Sequence, residues 1–91
     1  MEDRYIFEHL RLSEERQVRY REFRSALIAL GFDEPVAEIV ALHAIDVCAK
    51  RIGRVAGIKS TAVSQIILRT RSRLGVEGKG MLVCLLSSTL C

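Results

Sequence analysis

Residues 49–68 leave this chain few ways to fold, because glycine and apolar residues recur there at set positions. Ile52 offers an apolar side chain to the interior, and Gly53 is the smallest residue at the point where a second helix would cross the first. Gly57 tolerates the positive φ of a tight turn, and Ile58 follows as an apolar side chain to fill the junction. This order predicts two helices packed across a short turn, that is, a helix-turn-helix.

The second helix of this window has an apolar and a polar face. Val63 and Ile66 are three residues apart, as the buried positions of a helix require, and Ile67 lies beside them. Ser60 stands where its side chain can cap the N-terminus of that helix. The polar residues between these positions are therefore expected on the outer face.

The remaining residues favour further helices. Ser13 is a good N-cap and Gly31 a good C-terminal residue, and the helix between them is expected to bury one apolar stripe. That stripe consists of Tyr20, Phe23, Leu27 and Leu30. Asp33 would cap the next helix, and we also predict a helix within residues 1–12. The predicted fold class is all-α, a small helix-turn-helix bundle of about four to five helices.

A single domain is predicted for residues 1–91, because a chain of 91 residues has the length of one small domain. Within it, residues 1–31 form an N-terminal helical extension, residues 32–74 the scaffold helix and helix-turn-helix, and residues 75–91 an apolar C-terminal element. No apolar run approaches the ~20 residues of a membrane span, and the first residues do not resemble a signal peptide. We therefore expect a cytoplasmic protein without a membrane partner.

The sequence offers little to catalysis or metal binding. Its three cysteines, Cys48, Cys84 and Cys91, lack a Cys-x-x-Cys pair, which favours buried or incidental thiols over a disulfide framework or a zinc site. Neither His9 nor His43 belongs to a catalytic arrangement, and His43 is interpreted as a hydrogen-bonded core histidine. We therefore expect no enzyme, no cofactor, no bound metal and no small-molecule ligand.

The formal net charge of +3 conceals an uneven distribution. Residues 1–33 carry six basic and seven acidic side chains, and residues 34–48 carry three acidic side chains with no Lys or Arg. Residues 49–73 carry seven basic side chains and no acidic one. A solvated helical hairpin is the simpler interpretation of a basic block, but a solvated face usually mixes both signs. The one-signed block therefore favours a phosphate-rich partner.

The outer face of the second helix suits duplex DNA. A recognition helix enters the major groove, where Gln pairs with adenine through two hydrogen bonds and Ser or Thr serves several bases. The predicted base contacts are Lys59, Ser60, Thr61, Ser64, Gln65 and Leu68. The predicted phosphate contacts, which position the protein rather than specify a sequence, are Lys50, Arg51, Arg54, Arg69, Arg71 and Arg73.

Residues 32–82 resemble the DNA-binding domain of bacterial regulators of the LuxR/GerE type. The positions that match its motif without a gap are Phe32-Asp33, Ile39-Val40, Leu42, Lys50, Ile52, Gly57-Ile58, Val63, Arg73-Leu74-Gly75-Val76 and Leu82-Val83. The resemblance implies a four-helix DNA-binding bundle whose last helix, here roughly residues 79–89, forms the dimer interface.

Several positions depart from that family. Its acidic-rich Arg-Glu-Arg-Glu start is replaced by residues 34–37, its second-helix Glu by Arg51, and its Val-Lys-x-His stretch by residues 63–66. The family's base specificity therefore does not carry over to this chain. The order Thr-Ala-Val-Ser-Gln at residues 61–65 is also similar to plasmid repressors of the KorA/TrfB type, and loosely to fimbrial regulators of the PapB type.

The apolar residues 81–86 are expected either to complete the core or to form a homodimer seam. The predicted dimer interface consists of Met81, Leu82, Leu85 and Leu86. Following the resemblance we predict a helix here, with a β-strand paired across a two-fold axis as the alternative. The stripe around Tyr20 and Phe23 is a second candidate dimer surface.

Together these observations predict a sequence-specific double-stranded DNA-binding regulator of transcription that acts as a homodimer on an inverted repeat. Repression is favoured because nothing in the sequence suggests a ligand sensor. One alternative is a small helical protein-interaction module, such as an anti-activator or an antitoxin-like adaptor, whose basic face meets an acidic protein. Another is a transcriptional activator that contacts polymerase through the acidic residues 34–48.

Overall fold

The computed structural model of the protein describes residues 2–89 and contains six α-helices within that range. They are α1 (Asp3–Leu10), α2 (Glu14–Ala29), α3 (Glu34–Ala44), α4 (Ala49–Ala56), α5 (Ser60–Leu74) and α6 (Lys79–Thr89). The predicted all-α class is confirmed. The helix count within the described residues is six rather than four to five, and the helix predicted within residues 1–12 is present as α1.

The bundle is built around α3, which contacts α2, α4, α5 and α6. Ala37, Val40 and Ala41 are fully buried, and half of the other residues of α3 are buried as well. Small residues on this helix let its neighbours approach closely from several sides. The position of α3 explains why the chain forms one core rather than two.

Helix boundaries follow local capping chemistry. The Ser13 hydroxyl accepts a hydrogen bond from the Arg16 backbone N–H at 3.3 Å, which confirms the predicted cap of α2. Asp33 occupies the N-cap position of α3, although its side chain makes no capping hydrogen bond within the described residues. The prediction for Ser60 was wrong, because Lys59 is the N-cap of α5 and Ser60 is already the first helical residue.

The predicted stripe of α2 lies in the core at three of its four positions. Tyr20, Phe23 and Leu27 are buried, whereas Leu30 is exposed. The Tyr20 ring meets the Phe7 ring of α1 edge to face, with the ring centroids 5.7 Å apart. The second candidate dimer surface was therefore wrong, because Tyr20 and Phe23 are already covered by the same chain.

The C-terminal element forms α6, so the alternative of a β-strand was wrong. Leu82 and Leu86 are fully buried against the rest of the chain, which corrects their assignment to a dimer seam. Residues four apart share one helix face, and that face of α6 packs onto α2 and α3. Met81 is 52% exposed and Leu85 is half-buried.

Cys48 and Cys84 are free thiols exposed to solvent. Of the two predicted interpretations, buried or incidental thiols, burial is therefore wrong for both residues. Cys91, with Leu90, lies outside the described residues. Along residues 2–89, no helix combines the length and the hydropathy that crossing a bilayer requires.

Candidate nucleic-acid interface

The predicted helix-turn-helix geometry is present in α4 and α5. A Cβ atom added to Gly53 would lie 2.6 Å from the Ile58 carbonyl oxygen, closer than any real side chain approaches. Glycine is therefore required where the turn passes over α4. Gly57 adopts a φ of +74°, and the Ile58 N–H donates a hydrogen bond of 3.0 Å to the Gly53 carbonyl. These contacts fix the angle at which α5 leaves α4.

The inner face of α5 is buried as expected, with two adjustments. Val63 and Ile67 are buried, whereas Ile66 is only partly buried. Thr70, which the sequence did not single out, continues the buried face one turn further along. Ile58 is 38% exposed, so it lies at the rim of the junction rather than filling it.

All six predicted base contacts are exposed, namely Lys59, Ser60, Thr61, Ser64, Gln65 and Leu68. Thr61, Gln65 and Leu68 follow each other at i, i+4 and i+7 and so form one stripe along the outer face of α5. Leu68 is 58% exposed at the C-terminal end of this stripe. The stripe combines hydrogen-bonding groups with an apolar side chain, which is a chemistry that matches base edges and thymine methyl groups.

Exposed cations lie on α4, on α5 and in the turn between them. Lys50, Arg54, Lys59 and Arg69 are exposed and take part in no ion pair with another residue of the described range. Arg73 is exposed too, with its guanidinium carbon 4.5 Å from the centroid of the Phe32 ring. The ring holds the Arg73 head group beside the C-terminal part of α5.

Arg51, one of the predicted phosphate contacts, also has a partner within the protein. Its guanidinium donates a hydrogen bond of 2.9 Å to the Leu10 carbonyl at the end of α1. A carbonyl at a helix C-terminus lacks an intrahelical partner and carries partial negative charge, so it competes for a cation. The side chain therefore fastens α1 to α4 instead of standing free.

A groove of about 540 Å³ follows one flank of α5 and is named the Arg71 groove here. Its polar lining residues are His43, Asp46, Cys48, Ser64, Arg71 and Lys79. Lys79 forms an ion pair with Asp46, and this pair holds the start of α6 beside the end of α3. The sequence did not indicate Lys79 as a site residue, because it lies outside the basic block and next to Glu77.

A second groove, of about 360 Å³, follows the opposite flank of α5 and is named the Arg69 groove. Arg69 and Arg73 line it together with Asp33 and Phe32 at the start of α3. The two grooves leave the outer stripe of α5 as a ridge between them. A ridge with cations on both sides has the form needed to enter a groove of duplex DNA.

His43 differs from the hydrogen-bonded core histidine that the sequence predicted. Its side chain is half-buried, and its Nε2 atom is buried without a hydrogen-bond partner among residues 2–89. Burial, with Lys79 and Arg71 nearby, lowers the pKa of His43 below its usual 6.5. The imidazole is therefore neutral at pH 7. The Lys79 ammonium also lowers the pKa of the Asp46 carboxyl, because its hydrogen bond and its charge stabilise the carboxylate.

Within the described residues, no group of three or more His, Cys, Asp or Glu side chains is placed to hold a metal ion. Comparisons of the chain with protein-family models, with curated proteins and with solved structures gave no significant match.

Proposed function

We propose that this protein is a sequence-specific double-stranded DNA-binding regulator of transcription in the cytoplasm. The observation that carries the proposal is the outer face of α5, where Thr61, Gln65 and Leu68 are exposed between two flanks of cations. Gln65 would contact adenine, and Lys50, Arg54, Arg69 and Arg73 would contact phosphates. The resemblance of residues 32–82 to LuxR/GerE-type domains supports the same function.

The regulator would act as a homodimer on an inverted repeat. Two copies of α5 would then enter successive major grooves about 34 Å apart. Of the four residues predicted for the dimer interface, Met81 is exposed and Leu85 is half-buried, so these two remain accessible to a second copy. Repression is the proposed outcome, because a dimer that covers a promoter blocks polymerase without any further activity.

A footprint on the promoter region beside its own gene tests the specific function. We expect protection of two half-sites about one helical turn apart at moderate salt. Absence of protection there, together with equal affinity for random duplexes, would contradict a sequence-specific repressor.

A protein-interaction module is the second candidate function. Tyr5, Val18 and Ile28 are exposed apolar residues of α1 and α2, two helices outside the helix-turn-helix. Under this alternative the protein would copurify with an acidic partner and would show no salt-dependent affinity for duplex DNA. A reporter assay separates the remaining alternative, an activator, because expression would then rise with the amount of protein.

A further inference from the structure

The Arg71 groove contains two buried polar atoms that lack a hydrogen-bond partner among residues 2–89. These atoms are Nε2 of His43 and Nε of Arg71. Their side chains line the same groove, one from α3 and the other from α5. A buried polar atom without a partner is costly, so a pair of them at one groove indicates a missing hydrogen-bonding group. Because a guanidinium has no acceptor lone pair, the group that satisfies Arg71 must be an acceptor.

The surroundings of the two atoms favour an anion. Lys79 and Arg71 bring two positive charges to the groove, and both lower the pKa of His43. Ala49, the first residue of α4, also lines the groove, and the Cys48 side chain makes no capping hydrogen bond. Unpartnered N–H groups of a helix start attract negative charge. The Asp46 carboxylate would repel an anion, but Lys79 forms an ion pair with it and offsets its charge.

The position of the groove indicates where the anion comes from. Ser64 and Leu68 line the groove and also belong to the outer face of α5. A DNA strand beside that face would pass over the groove opening. A helix in the major groove lies between two phosphate backbones, so one of them is within reach.

We infer that the Arg71 groove binds one phosphate group of the DNA backbone, held by Arg71, Lys79, the His43 imidazole and the first N–H groups of α4. This inference rests on the proposed DNA binding and adds Lys79 and His43 to the residues that contact DNA. It also gives Asp46 a role, because its carboxylate competes with the phosphate for Lys79.

Asp46→Asn tests this competition. Asp46 has a φ of +71°, and Asn tolerates that left-handed conformation, so the variant keeps the turn. We expect it to bind a random duplex about three- to tenfold more tightly at low salt, with a steeper salt dependence, because Lys79 becomes free for phosphate. Lys79→Ala should abolish this gain in the double variant.

Asp33→Asn is the charge-matched control, since it removes one acid from the Arg69 groove on the opposite flank. Any gain that it produces should persist in the Lys79→Ala background. If the Asp46→Asn gain also persisted there, it would be a general charge effect and the inference would be overturned.

Amide NMR signals distinguish a failure of the inference from a failure of the proposed function. With a short duplex we expect shifts at Ala49 and Lys50 as well as at Thr61 and Gln65. Shifts at α5 alone would overturn the phosphate site and leave DNA binding intact. No shifts with duplex would overturn both, and if inorganic phosphate then shifted Ala49 and Lys50, the groove would be a site for free anions.

Discussion

The arginines of α1 and α2 are engaged within the protein, whereas most cations of α4 and α5 are exposed without an ionic partner in the described range. Arg24 pairs with Asp3 at 2.6 Å and lies 5.6 Å from the centroid of the Tyr20 ring. Arg21 lies 4.9 Å from the Phe7 ring, and Arg16 donates a hydrogen bond to the Ile45 carbonyl. These contacts join α1, α2 and the end of α3.

The two regions show that a count of basic residues does not reveal what they do. Residues 1–33 contain six arginines and residues 49–73 contain seven basic residues, so the numbers are nearly equal. The difference lies in acidic neighbours: three arginines of the first region pair with carboxylates, whereas no cation of the second region does so within the described residues. Arg51 and Arg73 are exceptions within the second region, since Arg51 contacts a carbonyl of α1 and Arg73 lies against the Phe32 ring. Substitutions in the two regions should therefore differ in their effects on stability and on DNA binding.

The close approach of α4 and the turn should dominate the stability of the DNA-facing region. Gly53→Ala would place a methyl group against the Ile58 carbonyl, which can move only with the backbone. We expect the free energy of unfolding to fall by about 2–3 kcal/mol, measured by urea denaturation. Gly80→Ala in α6 is the matched control. Nothing lies within 4 Å of a Cβ added there, and alanine should be neutral or stabilising. Similar losses for both variants would contradict a special role for the crossing.

Specificity should reside in the outer stripe and affinity in the flanking cations. Gln65→Ala should relax the preference at one base pair by about 1–3 kcal/mol, measured by competition between single-base variants of the operator. Arg69→Ala should instead weaken all duplexes alike and reduce the slope of log affinity against log salt by about 0.9. If the two variants behaved identically, the orientation of α5 in the major groove would be wrong.

Removing an arginine that has a partner within the protein should lower stability and leave DNA binding unchanged. Arg24→Ala would leave Asp3 without its closer cation and uncover part of the Tyr20 ring. We expect the free energy of unfolding to fall by about 1 kcal/mol, with unchanged DNA affinity per folded molecule. Arg54→Ala on α4 is the opposite case, with unchanged stability and weaker DNA binding. Equal effects of the two variants on binding would remove the distinction between the regions.

The sequence predicted the parts of the fold that depend on neighbouring residues. The spacing of Gly53, Gly57 and Val63 was sufficient for the helix-turn-helix, since a turn and its two helices are local. It could not assign Leu82 and Leu86 to the core, because every residue of an apolar helix looks similar until the packing partner is known. Similarly, Phe32 supports Arg73 from a distant part of the chain.

The same limit applies to the Arg71 groove. Its polar residues come from α3, the turn before α4, α5 and α6, and their separations in sequence carry no periodic signal. Lys79 alone appeared as one charge beside Glu77. Only the packing of α6 against α3 brings Lys79 to His43 and Arg71, so charge patterning along the chain identified the basic face but not the full groove.

The smallest predicted effect concerns pH and follows from the burial of His43 and the cations beside it. The pKa of His43 is lowered in the folded protein by burial, Lys79 and Arg71, against the opposing charge of Asp46. In the unfolded chain His43 binds a proton near pH 6.5, whereas in the folded protein it does so only at lower pH. The free energy of unfolding therefore falls as the pH drops below about 6.5. The slope for this one proton is at most about 1.4 kcal/mol per pH unit.

Denaturation midpoints at pH 7.5 and 5.5 measure this loss. His43→Gln should reduce the difference between the two midpoints, because no proton is then excluded at that position. His9→Gln is the matched control and should retain the difference, since it leaves His43 in place. If His43→Gln preserved the full pH dependence, His43 would not be the group whose protonation destabilises the protein. Cations without an ionic partner would then matter only at the outer face of α5 and not in the Arg71 groove.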